Sequence, residues 1–244
     1  MPIQSIEPRR LYRQIADQLR ALIKAGEFPV GTRLPTERDL AAKLGVSRPS
    51  VREALIALEV EGLVEVRGGS GIYVLAREVA PTARRVDEAA FGPFEIIRAR
   101  QVIECETAAI AARTMNAAQV RGLREAVVLM EEDIARGEMP IRGDRLFHTR
   151  IAEAADNAPL LRVVSDLFDE RNNPLFERIG QHFESGPSWR IAVAEHKAVI
   201  AAIAAHDPRR ARLAMQTHLQ RSHDRFAAAW PQAQAEAEAA LKVG

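Results

Sequence analysis

Apolar residues recur along the first quarter of the chain in two different rhythms. Leu11, Ile15, Leu19, Leu22 and Ile23 are spaced by three and four, which predicts an amphipathic helix ending near Gly26. A second helix opens at Leu34-Pro35-Thr36-Glu37-Arg38-Asp39-Leu40, with Thr36 as N-cap and Asp39 three residues on, and it stops at Gly45. Ser47 then caps a third helix that tolerates Pro49 in its first turn and buries Val51, Ala54, Leu55 and Leu58. Two helices joined across Leu44-Gly45-Val46-Ser47 form a helix-turn-helix pattern. The rhythm then changes to alternation: Leu63–Arg67 reads as a strand, Gly68–Gly71 as a turn and Ile72–Leu75 as the returning strand, a β-hairpin wing.

From Phe94 onward the period returns to 3.6 residues. Helices are expected over about 94–115, 118–137, 142–156, 159–171, 188–206 and 208–230, divided at Gly137/Pro140, Asn157/Pro159, Asn172-Asn173-Pro174, Gly186-Pro187 and Asp207-Pro208. The expected fold is therefore mainly α. A winged helix-turn-helix over 1–77 precedes a linker over 78–93, an all-α antiparallel helical bundle over 94–230 and an Ala/Glu-rich tail over 231–244.

Charge sharpens this division. The 244 residues carry 34 basic and 33 acidic groups, a net +1 that argues weakly against nucleic acid. Residues 1–77 hold 12 Lys/Arg against 9 Asp/Glu and no histidine, a balance of +3; the remainder holds 22 against 24, a balance of −2, with all six histidines. Cys105 is the single cysteine, so neither an intramolecular disulfide framework nor a Cys-rich zinc site is available. The opening Met1–Glu7 lacks the apolar core of a signal peptide, and no membrane span is expected, so a cytoplasmic protein is.

Candidate chemistry falls on both halves. Arg48, Ser50 and Arg52 occupy the first turns of the third helix, the end that enters a major groove, where arginine bonds guanine O6 and N7 together. Arg38 and Arg67 are placed for phosphate or minor-groove contact. In the bundle, Asp144 and His148 stand four residues apart on one helix, with His196 and His218 on the last two. A carboxylate with three imidazoles suits a divalent metal, zinc foremost, or nickel, manganese or iron. Read alone, such an Asp/His pair is more often a solvated helix-face contact, and His182, His206 and His223 are read as structural.

The stretches Gly31–Ala41, Gly45–Arg48, Val51–Leu55 and Leu58–Leu63 resemble the winged helix-turn-helix of the GntR family of bacterial transcription regulators, over almost all of residues 10–75. The resemblance implies that Arg38, Ser47, Arg48, Ser50, Arg52 and Gly69 contact double-stranded operator DNA, and that a homodimer binds a palindrome. Arg100–Glu104, Asp144–His148, Asn157, Glu195-His196 and Asp207 through His218-Leu219 are similar to the effector domain of the FCD branch of that family. That resemblance implies metal ligands Asp144, His148, His196 and His218, and an arginine clamp for a carboxylate effector at Arg100. Arg98, on nearly the opposite face, is its rival; Asn157 and Arg190 are further effector candidates.

Within that branch, Val51–Ile56, Gly62–Arg67, Gly71–Leu75, Gly92–Glu95, Ala99–Gln101 and Arg171-Asn172-Asn173-Pro174 resemble the repressors of hexuronate utilisation. The implied function is a repressor released by a sugar acid, a hexuronate or aldarate. The alternative is another small hydroxy- or dicarboxylate. A metal-dependent hydrolase is the rival from a different class, but no Glu-x-x-His or nucleophile motif accompanies the constellation, and Glu104 and Glu195 remain unplaced acids. A bundle serving dimerisation alone is the third reading.

Overall fold

The computed structural model describes residues 10–80, 83, 84, 86, 87, 89–228 and 230. The expected tail over 231–244 and the first nine residues lie outside them. The chain forms two compact units, one made of the residues up to Gly92 with Asn173–His182 and the residues from Ala227 on, the other of Pro93–Asn172 and Phe183–Phe226. Among the described residues no helix is long and apolar enough to cross a membrane.

The first unit is built as the periodicity requires. Helix α1 (Leu11–Ala25) buries Tyr12, Ile15, Ala16, Leu19 and Ile23 on one stripe. Helix α2 (Glu37–Leu44) begins where the Thr36 side chain accepts the Asp39 N–H and ends at Gly45, whose φ of 66° is a left-handed conformation that glycine takes without Cβ strain. Helix α3 (Arg48–Val60) starts at Ser47, whose hydroxyl accepts the Ser50 N–H at 3.3 Å. Strands β1 (Val64–Arg67) and β2 (Gly71–Val74) pair antiparallel in the register Val64 to Val74 and Arg67 to Gly71. A bridge from Arg33 to Tyr73, flanked by Leu34 N–H to Ile72 O at 2.8 Å, lays the chain before α2 along the wing.

Two features of this unit depart from expectation. Part of the expected linker is packed: Val86 and Ala90 are buried in the unit's core, the Tyr12 hydroxyl donates to Ala90 O at 2.9 Å, and Arg13 donates to Val86 O at 2.7 Å. Apolar spacing over 78–93 is too sparse to signal a packed segment, because backbone carbonyls carry much of the attachment.

The other is a helix at Pro174–Phe183, which is α8 in chain order, where the sequence reading places only two breaks. It buries Leu175, Phe176, Ile179 and Gly180, and through His182 it belongs to the first unit although its sequence lies in the middle of the bundle. Glu59 of α3 fixes it, accepting from Arg178 at 2.9 Å and facing His182 Nε2 at 2.7 Å while also accepting the Val66 N–H at 3.1 Å.

The second unit consists of α4 (Pro93–Thr114), α5 (Ala117–Ala135), α6 (Ile141–Glu153), α7 (Ala158–Asp169), α9 (Gly186–Ala204) and α10 (Pro208–Ala227). Helix α5 packs against α6 and α9, and α4 against α6, α7 and α9. Their shared core includes Leu123, Met130, Phe147, Ile151, Val199, Ile203, Met215 and Leu219. The mainly helical fold with one small sheet is the one expected.

Candidate metal centre and nucleic-acid face

Three helices of the second unit bring the polar constellation together. One turn of α6 places Asp144 and His148 on the same face. Gly143 lets that face come close to α5: a Cβ there would lie 2.7 Å from Ala126 O and 2.7 Å from Met130 Cγ. Helix α9 supplies His196 and α10 supplies His218. One ligand atom from each of the four residues lies within 4.8 Å of the others. His196 Nε2 is 3.1 Å and His148 Nε2 3.6 Å from Asp144 Oδ1, and the two Nε2 atoms are 3.4 Å apart. Phe147 stands edge-on to both rings, its centroid 5.2 Å from His148 and 4.6 Å from His196, so the imidazoles are held by packing as well as by charge.

The outward nitrogens of two rings are engaged. His148 Nδ1 meets Glu104 Oε2 on α4, and His218 Nδ1 lies 2.9 Å from Glu195 Oε2 on α9. A carboxylate on Nδ1 fixes the ring's orientation and turns Nε2 toward the centre, the usual support for a metal-ligating histidine. Glu104 is itself held by Arg100, whose Nε donates to Oε1 at 2.6 Å. Arg171, at the end of α7, donates from Nη1 to Asp144 Oδ2 at 2.6 Å.

Protonation follows from these contacts. Burial pushes the His218 imidazole well below its ordinary value, assisted by the neighbouring His196 and His148, and burial likewise lowers His196. At His148 burial is outweighed by the Glu104 carboxylate, and its pKa is raised. Burial would raise Asp144, but the Arg171 guanidinium and the bonds to His148 and His196 hold it well below the usual carboxylate range. Glu104, buried between Arg100 and His148, is brought down to about 2. An ionised Asp144 beside two imidazoles, His196 and His218, kept from protonation gives three of the four deprotonated donors that a divalent cation needs, and a bound cation would displace any proton from His148. The residues fit a metal.

The cleft over this cluster is lined by Arg100, Arg171, Glu184, Trp189, Ser222 and Arg225 around Asp144, His196 and His218. Arg100 is buried and faces it, whereas Arg98 is exposed, which decides between the two. Two expected effector residues are elsewhere. Asn157 caps α7, its side chain accepting the Leu160 N–H at 3.1 Å, and Arg190 is exposed on the first turns of α9; neither lines the cleft. Sequence reasoning missed Arg171, Glu184, Trp189 and Arg225 as lining residues, and the roles of Glu104 and Glu195. The spacing of Arg100 to Glu104 and the adjacency of Glu195 to His196 were the available signals.

In the first unit, the start of α3 and the wing line a second cleft, with Arg33, Arg38, Arg48, Arg67 and Gly69 on its walls. Arg38, Arg48 and Arg67 keep 84%, 55% and 52% of their side chains exposed. Arg48 Nε bonds Glu37 Oε1 at 2.9 Å, Arg67 Nε bonds Glu65 at 2.7 Å, and Ser47 and Ser50 share a hydroxyl contact at 2.9 Å. Arg33, exposed and bridged to Tyr73, joins this set although the helix pattern did not single it out.

Arg52 corrects the expectation of a solvent-facing base reader. Its side chain is 1% exposed: Nε donates to Glu37 Oε2 at 2.8 Å, Nη1 donates to Ala228 O at 2.6 Å, and its guanidinium lies 4.9 Å over the Trp230 ring. Trp230 Nε1 completes the cluster by donating to Glu37 at 3.1 Å.

Comparison with known proteins agrees with both halves. Residues 11–74 match the family described as bacterial regulatory proteins, gntR family, and residues 95–221 match the FCD domain. The Exu regulon transcriptional regulator of Escherichia coli K12 is 38% identical over 223 residues, covering 88% of this chain and 83% of that protein. The Uxu operon transcriptional regulator of the same strain is 36% identical over 226 residues, covering 89% and 87%. Among solved structures, E. coli McbR/YncC superposes with a TM-score of 0.51 at 22% identity, over 89% of this chain and 97% of that one, a likeness of fold.

Proposed function

Since the chain belongs to the gntR family of bacterial regulatory proteins and carries an FCD domain, we propose that it is a repressor of sugar-acid catabolism that a carboxylate effector releases from its operator. It is a transcription regulator, as its family and relatives are. In this reading it acts in the cytoplasm as a homodimer on a palindromic operator. Arg38, Arg48, Ser47, Ser50, Arg67 and Gly69 form the reading face, and Arg33 joins them.

The observation that carries the effector half is the convergence of Asp144, His148, His196 and His218, three of which, all but His148, line one cleft with Arg100. These four residues hold a divalent metal, zinc foremost. A bound ion would supply a Lewis-acidic centre for an oxygen-bearing effector. Glu104 and Glu195 orient His148 and His218, and Glu104 also fixes Arg100, so clamp and ligand share one support. The names of the relatives, regulators of Exu and Uxu genes, support a hexuronate as effector. Release follows from differential affinity: an effector that binds the operator-free state more tightly weakens DNA binding by the same factor.

A mobility-shift titration tests the whole reading. An operator selected from random DNA is expected to bind with strong salt dependence and to be released by D-galacturonate or D-glucuronate. Release by small dicarboxylates and not by uronates would replace the sugar-acid assignment with the alternative. Elemental analysis tests the centre separately: the His196→Ala/His218→Ala double variant is expected to lose its metal, and a fully loaded double variant would sink the ligand set.

A further inference from the structure

The arginines of the cleft are already matched with carboxylates. Arg100 bonds Glu104 at 2.6 Å, Arg171 bonds Asp144 at 2.6 Å, and Arg225 Nη1 lies 3.4 Å from Glu195 Oε1. Glu184, two residues before α9, lacks such a match. Among the described residues its side-chain hydrogen bond comes from a neutral donor, Trp189 Nε1 at 3.3 Å, and no cation stands within ion-pair distance. Burial raises its pKa; Arg171 and Arg225 act on it only at longer range, and Asp144 opposes them.

A carboxylate of this kind offers lone pairs to hydroxyl donors and repels a second anion. The indole held against it supplies a rigid apolar surface of the sort that covers the C–H face of a sugar. We propose that Glu184 is the hydroxyl-reading residue of this cleft, and that with Trp189 it selects a polyhydroxylated monocarboxylate over a dicarboxylate. The inference rests on the sugar-acid reading above and narrows it to hexuronates over aldarates. The single carboxylate would go to the metal site and to Arg100, whose Nε serves Glu104 while its buried Nη2 has no hydrogen-bond partner among the described residues, and the hydroxyl-bearing remainder would meet Glu184.

D-Galacturonate and galactarate are suitable probes, because they share a carbon skeleton and differ at C1, where galactarate has a second carboxylate. Calorimetric titration of the full-length, zinc-loaded protein is expected to give at least about tenfold tighter binding of galacturonate. A hydrogen bond to a charged acceptor is worth about 1.5 kcal/mol or more, so Glu184→Ala is expected to lose about tenfold in galacturonate affinity. The isosteric Glu184→Gln is expected to narrow the ratio, chiefly by admitting galactarate. Zinc content and thermal midpoint verify that both variants are folded and loaded.

Variants that bind both acids as wild type does overturn the role of Glu184 and leave the sugar-acid reading standing. A wild type that prefers galactarate overturns the selection. A zinc-loaded wild type that binds neither acid removes the sugar-acid reading and this inference with it.

Discussion

Arg48 and Arg52 lie one turn apart on α3 and meet the two oxygens of the same carboxylate, Glu37, yet their environments differ in kind. Arg48 is more than half exposed, and an exposed ion pair contributes only about 0–1 kcal/mol. Arg48→Ala is therefore expected to leave thermal stability nearly unchanged and to weaken operator binding, which unfolding and mobility-shift measurements read side by side. Arg52 is buried between Glu37, the Ala228 carbonyl and Trp230. Its removal takes the donor from the Ala228 carbonyl and leaves the buried Glu37 Oε2 with the Trp230 indole alone, at a cost of about 2 kcal/mol. Arg52→Ala is expected to lower the thermal midpoint by several degrees; a variant as stable as wild type would contradict the burial. Position on a helix identified both arginines as candidates for DNA contact. It could not separate them, because what covers Arg52 arrives from residues 228–230, far away in sequence.

At the scale of elements, helix boundaries followed local chemistry closely, and membership of a unit did not. The caps at Thr36 and Ser47, the Gly45 stop and the two hairpin strands are all where residue type and spacing place them. Helix α8 is the exception. It is short, lies between two Pro-containing breaks, and is fixed by Glu59, from which more than 100 residues of chain separate it. Its attachment has a pH signature. Burial disfavours the Glu59 carboxylate, but His182, Arg178 and the Val66 N–H outweigh it and hold the pKa below its ordinary 4.5. The stabilisation is thus present above that ordinary value and is lost as pH falls through the depressed one. Wild type is expected to be more stable than Glu59→Gln at neutral pH, with the difference shrinking as the pH falls below 4.5 and through the depressed pKa. A difference that grows on acidification would have the wrong sign for this arrangement.

At the scale of the whole molecule, a metal bound only by the folded bundle adds stability through mass action, about 2.7 kcal/mol when free metal is one hundred times its dissociation constant. Chelation is expected to lower the thermal midpoint and added zinc to restore it; the His196→Ala/His218→Ala variant should respond to neither. An unchanged midpoint on complete metal removal would count against the centre. The sequence by itself determined the mainly helical class, the winged helix-turn-helix, the basic, histidine-free first part and the spacing of Asp144 and His148, because caps, periodicity and turn chemistry act within a few residues. Only the tertiary structure decided that His196 and His218 meet that pair, that Arg100 faces the cleft while Arg98 does not, and that Glu184 stands there with no cation in ion-pair distance among the described residues. Those outcomes depend on how closely separate helices approach one another, as α6 and α9 do where His148 and His196 meet across 48 residues, a distance set by core packing and by a missing side chain at Gly143, which no local pattern encodes.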